Sequence, residues 1–296
     1  MYRYTVEPLY VKSGQDVIAA DFYHPETSKA PPVILMAHGL AGLRQLLALH
    51  AQKFAQAGYA VVLFDYRYWG GSTGRPRELI SISQQLQDWR TMIHHVSQRH
   101  SVDGKKMILW GTGLSAGHIL HLAHEFDVVR AALLQVPFLD GTEYAKLYPL
   151  PLLTKGLKLS SQDYMAAKVA RQPIRLPVVD AEGLSLIPCP VAQQDWHQLL
   201  PDDLYWSGQV PARIFFKLLR YRPILELAKI DIPLLWLGAK YDSLSSAEIA
   251  RQATKLNAHI EYHEWEMQHF DLFKAPYLQQ ALTTQLAFLH RYFGVD

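Results

Sequence analysis

The sequence predicts an α/β fold: a mostly parallel central sheet with helices on both faces and an inserted lid. Three observations carry the prediction. Continuous apolar runs, Val33-Ile34-Leu35-Met36-Ala37 and Ala60-Val61-Val62-Leu63-Phe64, have the character of parallel strands buried on both faces. Segments of helical spacing alternate with such runs, as in successive β-α-β units. The alternation fails between about Phe138 and Lys229, a proline-rich stretch, and returns at Ile232.

The elements follow in order. Residues 4–11 and 16–23 read as two strands around the Ser13-Gly14 turn. The run ending at Ala37 is broken by His38-Gly39-Leu40-Ala41-Gly42. Residues 49–57 are helical and stop at Gly58; residues 60–64 form the next strand. Residues 80–97 read as a helix, with Leu86, Trp89, Ile93 and Val96 spaced for one apolar face. Residues 107–110 are a strand, followed by a glycine turn and a helix over 116–125 that begins near Ser115. Residues 131–136 are a strand. In the irregular stretch, 175–179 and 184–187 could pair as a hairpin around Glu182-Gly183. A strand from Ile232, a helix over 246–256, a strand over 260–265 and a helix over 278–293 complete the chain. This divides it into a core domain, 1–137 with 230–296, and a lid over 138–229.

Bulk properties narrow the function. The 296 residues are 49% hydrophobic, enough for a large core. Charges are mixed, 29 basic against 27 acidic, so the net +2 gives no electrostatic footprint for nucleic acid or an anionic membrane. The single cysteine, Cys189, excludes an internal disulfide framework and fits the cytoplasm. The opening residues lack the apolar core of a signal peptide, and no apolar run approaches a membrane span. The expected partner is a small acyl substrate or apolar ligand, with a homo-oligomer left open.

The motif that carries chemistry is Gly113-Leu114-Ser115-Ala116-Gly117, a G-x-S-x-G nucleophile elbow. A serine on a sharp strand-to-helix turn needs small neighbours, because the two backbones nearly touch. Serine attacks only when a base takes its proton, and the base needs an orienting acid. Asp242 and His269 both follow late strands, at the strand ends where open α/β sheets bind ligands. Leu40, after an early strand, is placed to give one oxyanion-hole N–H; the amide after the nucleophile gives the other.

Over nearly its whole length the chain resembles the α/β-hydrolase superfamily. Within it, the chain is similar to dienelactone-hydrolase-like and peptidase-S15-like proteins related to fungal polyketide transferases, or thiohydrolases. The resembling segments are His38-Gly39-Leu40-Ala41-Gly42, Phe64-Asp65-Tyr66-Arg67-Tyr68-Trp69-Gly70-Gly71-Ser72, Trp110 to His118, and those around Asp242 and His269. The resemblance implies a hydrolase or acyltransferase acting on a small ester or thioester through Ser115, Asp242 and His269.

The departure falls at the nucleophile. In this fold the strand runs as two apolar residues, Gly, any residue, then Ser; Leu109-Trp110-Gly111-Thr112 fits that lead-in, and Gly113 comes next. The related group carries a pattern like W-G-T-S-F-S-G-G-H, with serines at both positions. Two readings follow. Ser115 attacks, with Ala116 N–H in the oxyanion hole; or Gly113 holds the elbow position, with Leu114 N–H in the hole and Ser115 merely the small residue the elbow requires. The second describes a degenerate ligand-binding protein, or a His269–Asp242 base acting without a protein nucleophile.

Other patterns carry less. Gly111-Thr112-Gly113-Leu114-Ser115-Ala116 also fits G-x-G-x-x-A, but no acidic residue ends the following strand, so no dinucleotide cofactor is expected. His118, His121 and His124 stand at i, i+3 and i+6 with no cysteine or paired carboxylate, so no metal is expected. The aromatic residues between 138 and 229 (Tyr144, Tyr148, Tyr164, Trp196, Tyr205, Trp206, Phe215, Phe216) suit either an apolar pocket or the packing of the lid.

Overall fold

The computed structural model describes residues 1–180, 182–189, 196, 198, 199 and 206–294. Its centre is an eight-stranded sheet in the order β1-β2-β4-β3-β5-β6-β9-β10. The strands are β1 (Tyr4–Ser13), β2 (Asp16–Pro25), β3 (Pro32–Ala37), β4 (Ala60–Phe64), β5 (Asp103–Thr112), β6 (Val129–Gln135), β9 (Leu234–Ala239) and β10 (Ile260–Trp265). The β1–β2 and β2–β4 pairs are antiparallel; every other pair is parallel. The apolar runs of the sequence become β3 and β4, buried at every position as strands covered on both faces must be.

Helices cover both faces. On one, α1 (Ala48–Gln56) and α8 (Tyr277–Phe293) pack Phe54 and Phe288 against Ile34, Trp110 and Leu235. On the other, α2 (Ile82–Ser97), α3 (Leu114–Leu122) and α7 (Ala247–Thr254) pack Trp89, Ile119 and Ala253 against Leu35, Leu109 and Trp236. This is the mostly parallel sheet with helices on both faces that the sequence predicts.

One boundary matters for the site. β5 runs to Thr112, and α3 starts at Leu114 rather than at residue 116. The whole turn is therefore Gly113, the residue capping α3, with φ 54° and ψ −120°. A non-glycine residue is strained in that conformation. Strand and helix also approach closely at Gly111, where an added Cβ would lie 2.8 Å from Ala116 N and from the Ser115 carbonyl carbon.

Between β6 and β9 the described chain adds no strand to the main sheet. It holds α4 (Gly141–Ala145), α5 (Leu150–Lys168), β7 (Arg175–Pro177), β8 (Gln209–Pro211), α6 (Ile214–Leu218) and a 3-10 turn, Pro223–Lys229. The hairpin expected around Glu182-Gly183 does not form. β7 pairs with β8 instead, and Val179 meets Ile187 in a single parallel bridge. Asp180 explains the difference: its carboxylate accepts the Glu182 and Gly183 N–H groups at 3.0 and 3.1 Å, which bends the chain before an antiparallel partner can return.

Two tyrosines hold this segment together. The Tyr144 and Tyr148 hydroxyls lie 2.6 Å apart, one donating to the other, and the second proton goes to the backbone carbonyls of Ser185 and Leu186 beside them. Burial pushes both phenols above their ordinary pKa, so they stay neutral donors.

Candidate active site

A cavity of about 310 Å³ opens at the C-terminal ends of the parallel strands. Leu40, Thr112, Gly113, Leu114 and His269 form its floor. Phe138, Tyr144, Leu186, Ile187, Trp196 and Leu218, all from the segment between β6 and β9, form its roof. No Lys, Arg, Asp or Glu lines it among the described residues.

Asp242 follows β9, and its carboxylate accepts the N–H groups of Leu244 and Ser245 at 2.8 Å each. That local turn presents the carboxylate to His269, whose Nδ1 lies 2.8 Å from Oδ2 and 3.0 Å from Oδ1. A carboxylate at Nδ1 fixes the proton there and leaves the lone pair on Nε2. The Asp242 side chain is 2% exposed and that of His269 12%, so the pair is screened little by water.

The candidate nucleophiles differ in surroundings. Gly113 is on the cavity wall with His269, and a Cβ added to it would meet no atom within 4 Å. Its backbone is fixed: its N–H donates to Gln135 O at 3.0 Å, and its carbonyl accepts Phe138 N–H at 2.9 Å and Gly117 N–H at 3.1 Å. Ser115 is 1% exposed, lies within α3 and does not line the cavity. Its Oγ sits beside the Tyr66 hydroxyl, which already accepts the Trp89 indole N–H at 2.8 Å, and makes no well-aligned hydrogen bond.

The oxyanion candidates separate the same way. Leu40 and Leu114 are on the cavity wall; Ala116 is buried in α3, against β5 at Gly111. The first bond within α3 runs from Gly117 N–H to Gly113 O, so the Leu114 N–H belongs to the unsatisfied, electropositive helix start. Asp65 secures the loop carrying Leu40: fully buried, it accepts Arg44 N–H at 2.9 Å and Gly71 N–H at 3.0 Å, and pairs with the Arg44 guanidinium. Trp206 bonds to Ala41 O at 3.0 Å from the other side. His38, beneath this loop, is held neutral because burial lowers its pKa.

The helical histidines serve packing. His118 is fully buried between the Tyr221 hydroxyl, 2.8 Å from Nδ1, and Gln85 Oε1, 3.0 Å from Nε2; burial lowers its pKa to about 3. His121 stacks on Tyr221, and His124 reaches Glu226 at 3.2 Å. Among the described residues no group of three or more His, Cys, Asp or Glu is arranged to hold a metal. Of the aromatic residues singled out in the sequence, Tyr144 and Trp196 line the cavity, Tyr148 supports it, Tyr164 and Phe216 face outward, and Tyr205 lies outside the described residues. Phe138, Leu186 and Leu218 have no signal in the sequence, because only the folded roof brings them together.

The strand-turn-helix elbow and the acid–histidine pair define an α/β-hydrolase. The chain belongs to the serine aminopeptidase S33 family, whose profile matches residues 28–267. It is 30% identical over 276 residues to the quorum-quenching protein AidA of Acinetobacter baumannii, covering 92% of this chain and 90% of that protein. It is 23% identical over 253 residues to the polyketide transferase ATR5 of Stachybotrys chlorohalonatus, covering 84% of each. The structure of DcsB in complex with its substrate analogue superposes with a TM-score of 0.85 at 21% identity, over 98% of this chain and 99% of that one. The relation to fungal polyketide transferases implied by the sequence therefore holds.

Proposed function

We propose that this chain hydrolyses small, uncharged esters or thioesters with the His269–Asp242 pair activating water directly. Gly113 stands where the attacking serine of the fold would be, and residues 138–229 act as the lid that sizes the substrate. The observation that carries the reading is the open space at Gly113: it shares the cavity wall with His269, its conformation is that of an elbow, and nothing fills the direction a side chain would take. A water there meets the same base that a serine hydroxyl would.

The step balances without a protein nucleophile. His269 Nε2 takes a proton from water as its oxygen adds to the carbonyl carbon. The oxyanion is held by the Leu40 and Leu114 N–H groups. Collapse breaks the bond to the leaving oxygen or sulfur, which takes the proton back from His269. Asp242 stays ionised throughout and stabilises the imidazolium. A cavity whose described lining is mostly apolar and carries no Lys, Arg, Asp or Glu favours a neutral acyl group and keeps these dipoles strong. The names of the thiohydrolase and polyketide-transferase relatives agree with acyl chemistry.

The test is turnover of neutral esters and thioesters beside intact-protein mass measured during turnover. The expected result is hydrolysis abolished by His269→Ala, with no acyl adduct and no labelling by a fluorophosphonate probe. Labelling lost in Ser115→Ala would overturn it in favour of a Ser115 triad. Ligand-induced thermal stabilisation without any turnover would overturn it in favour of a binding protein, the reading that also rests on Gly113.

A further inference from the structure

The most deeply buried positions of α5 are small or polar, and it leaves large apolar side chains exposed. A helix on a globular protein normally turns its apolar stripe inward and its polar face to water. The fully buried residues of α5 are Gly156, Ser160 and Asp163. They seat α6: a Cβ on Gly156 would lie 2.4 Å from the Phe215 ring, Phe216 N–H donates to Ser160 Oγ at 3.3 Å, and Asp163 accepts from Arg213 N and Nε at 2.9 and 2.7 Å. Leu152, Leu153 and Leu159 flank them, half-buried against the core, but the other large apolar side chains point outward. Leu150 is 72% exposed, Tyr164 49%, Met165 59%, Val169 63% and Phe216 41%. With Leu157 they make six of the fourteen exposed large hydrophobic residues of the described chain, gathered on one helix pair. Scattered exposed leucines need no explanation, but a cluster of this kind marks an interaction surface.

The charge on the same surface identifies the partner. Lys155, Lys158, Lys168 and Arg171 are exposed, and the sole acidic residue between 147 and 172, Asp163, is buried and paired with Arg213. Lys168 Nζ lies 5.1 Å from the Tyr164 ring centroid, and the Arg220 guanidinium 5.4 Å from that of Phe216. The well-mixed composition and net +2 conceal this one-signed face. Two copies of it would repel, which argues against self-association. A convex helix bearing leucine, methionine and tyrosine among lysines suits a fluid anionic surface: apolar side chains enter the acyl boundary while lysine stems reach the headgroups.

We propose that the outer face of α5, with Phe216 of α6, docks this protein on an anionic lipid bilayer. The same α6 carries Leu218 into the cavity roof, so a single helix separates the docked face from the cavity.

Co-sedimentation of the full chain with phosphatidylcholine vesicles, with and without phosphatidylglycerol, tests it. Binding is expected only with phosphatidylglycerol and falls as salt rises. Reversing three lysines together (Lys155→Glu, Lys158→Glu, Lys168→Glu) weakens binding about a hundredfold. Leu157→Ser with Met165→Ser weakens it at unchanged charge, and thermal melts verify that both sets fold. Equal binding to neutral vesicles, unchanged binding by the charge-reversed variant, or no binding at low salt overturns the proposal. Capture by poly-glutamate without capture by the vesicles would assign the face to an acidic protein instead.

Discussion

The floor and the roof of the cavity are built by different means. The floor is held through main-chain groups: Gly113 is bonded on both sides, and the buried Asp242 and Asp65 carboxylates each accept two backbone amides. The roof is held by side chains, with the paired Tyr144 and Tyr148 hydroxyls pinning the strip that carries Leu186. Backbone geometry survives most substitutions, whereas a wall fixed by side chains can be reshaped one residue at a time. Under the proposed function, the contrast would give reaction geometry to the floor and substrate choice to the roof.

The sharpest way to break that division is at the floor. His269→Ala is expected to lower kcat/KM for a neutral ester by roughly a thousandfold, the scale of a lost general base. A loss below tenfold would remove the floor from the chemistry.

Next comes acid stability, measured as Tm against pH. Burial lowers the pKa of His50 to about 4 and of His118 to about 3. The unfolded chain binds these protons near pH 6.5, before the folded one does. Their contribution is therefore full above pH 6.5 and is lost as pH falls toward 4 and then 3, on the order of 3 kcal/mol each. His50 lies against Trp110 beside the floor with neither ring nitrogen bonded, so His50→Phe should flatten the profile. His118 joins α3 to Tyr221, so His118→Phe should flatten it and also loosen the roof. Acid sensitivity unchanged in both variants would refute this assignment.

Gly113→Ser should cost about 1–3 kcal/mol, because a non-glycine residue at φ 54° and ψ −120° is strained. It should also create a site that a fluorophosphonate labels. A Tm drop without labelling would mean that the floor cannot present a serine to His269. The smallest effect is expected at the roof. Leu218→Ala should shift preference toward longer acyl chains by about tenfold in KM, with kcat for short esters unchanged. A fall in kcat instead would show that the roof shares in the chemistry.

The two regions were also unequally legible. β3 and β4 announced themselves, because parallel strands covered on both faces need unbroken apolar runs. Asp242 and His269 were readable as positions at strand ends, and they meet at 2.8 Å. The elbow stayed open between two residues because the motif letters do not say where the strand stops; Thr112 as the last residue of β5 supplies that. The 19-residue helix α5 was invisible. Pro149 and Pro151 read as breakers yet sit at its start, where proline is tolerated, and with small or polar residues at its most buried positions it lacks the expected periodicity. β7 found its partner in β8 rather than in its neighbour, a pairing that local sequence cannot encode.

The bare Gly113 has a kinetic consequence. Under the proposed attack by water, a site without a side chain there would keep no covalent record of its substrate, and the two halves of a group transfer could not be separated in time. Any acceptor other than water would have to occupy the 310 Å³ cavity together with the donor. Initial-rate plots for such an acceptor would intersect instead of running parallel, and a bulky donor would leave water as the one acceptor small enough to enter.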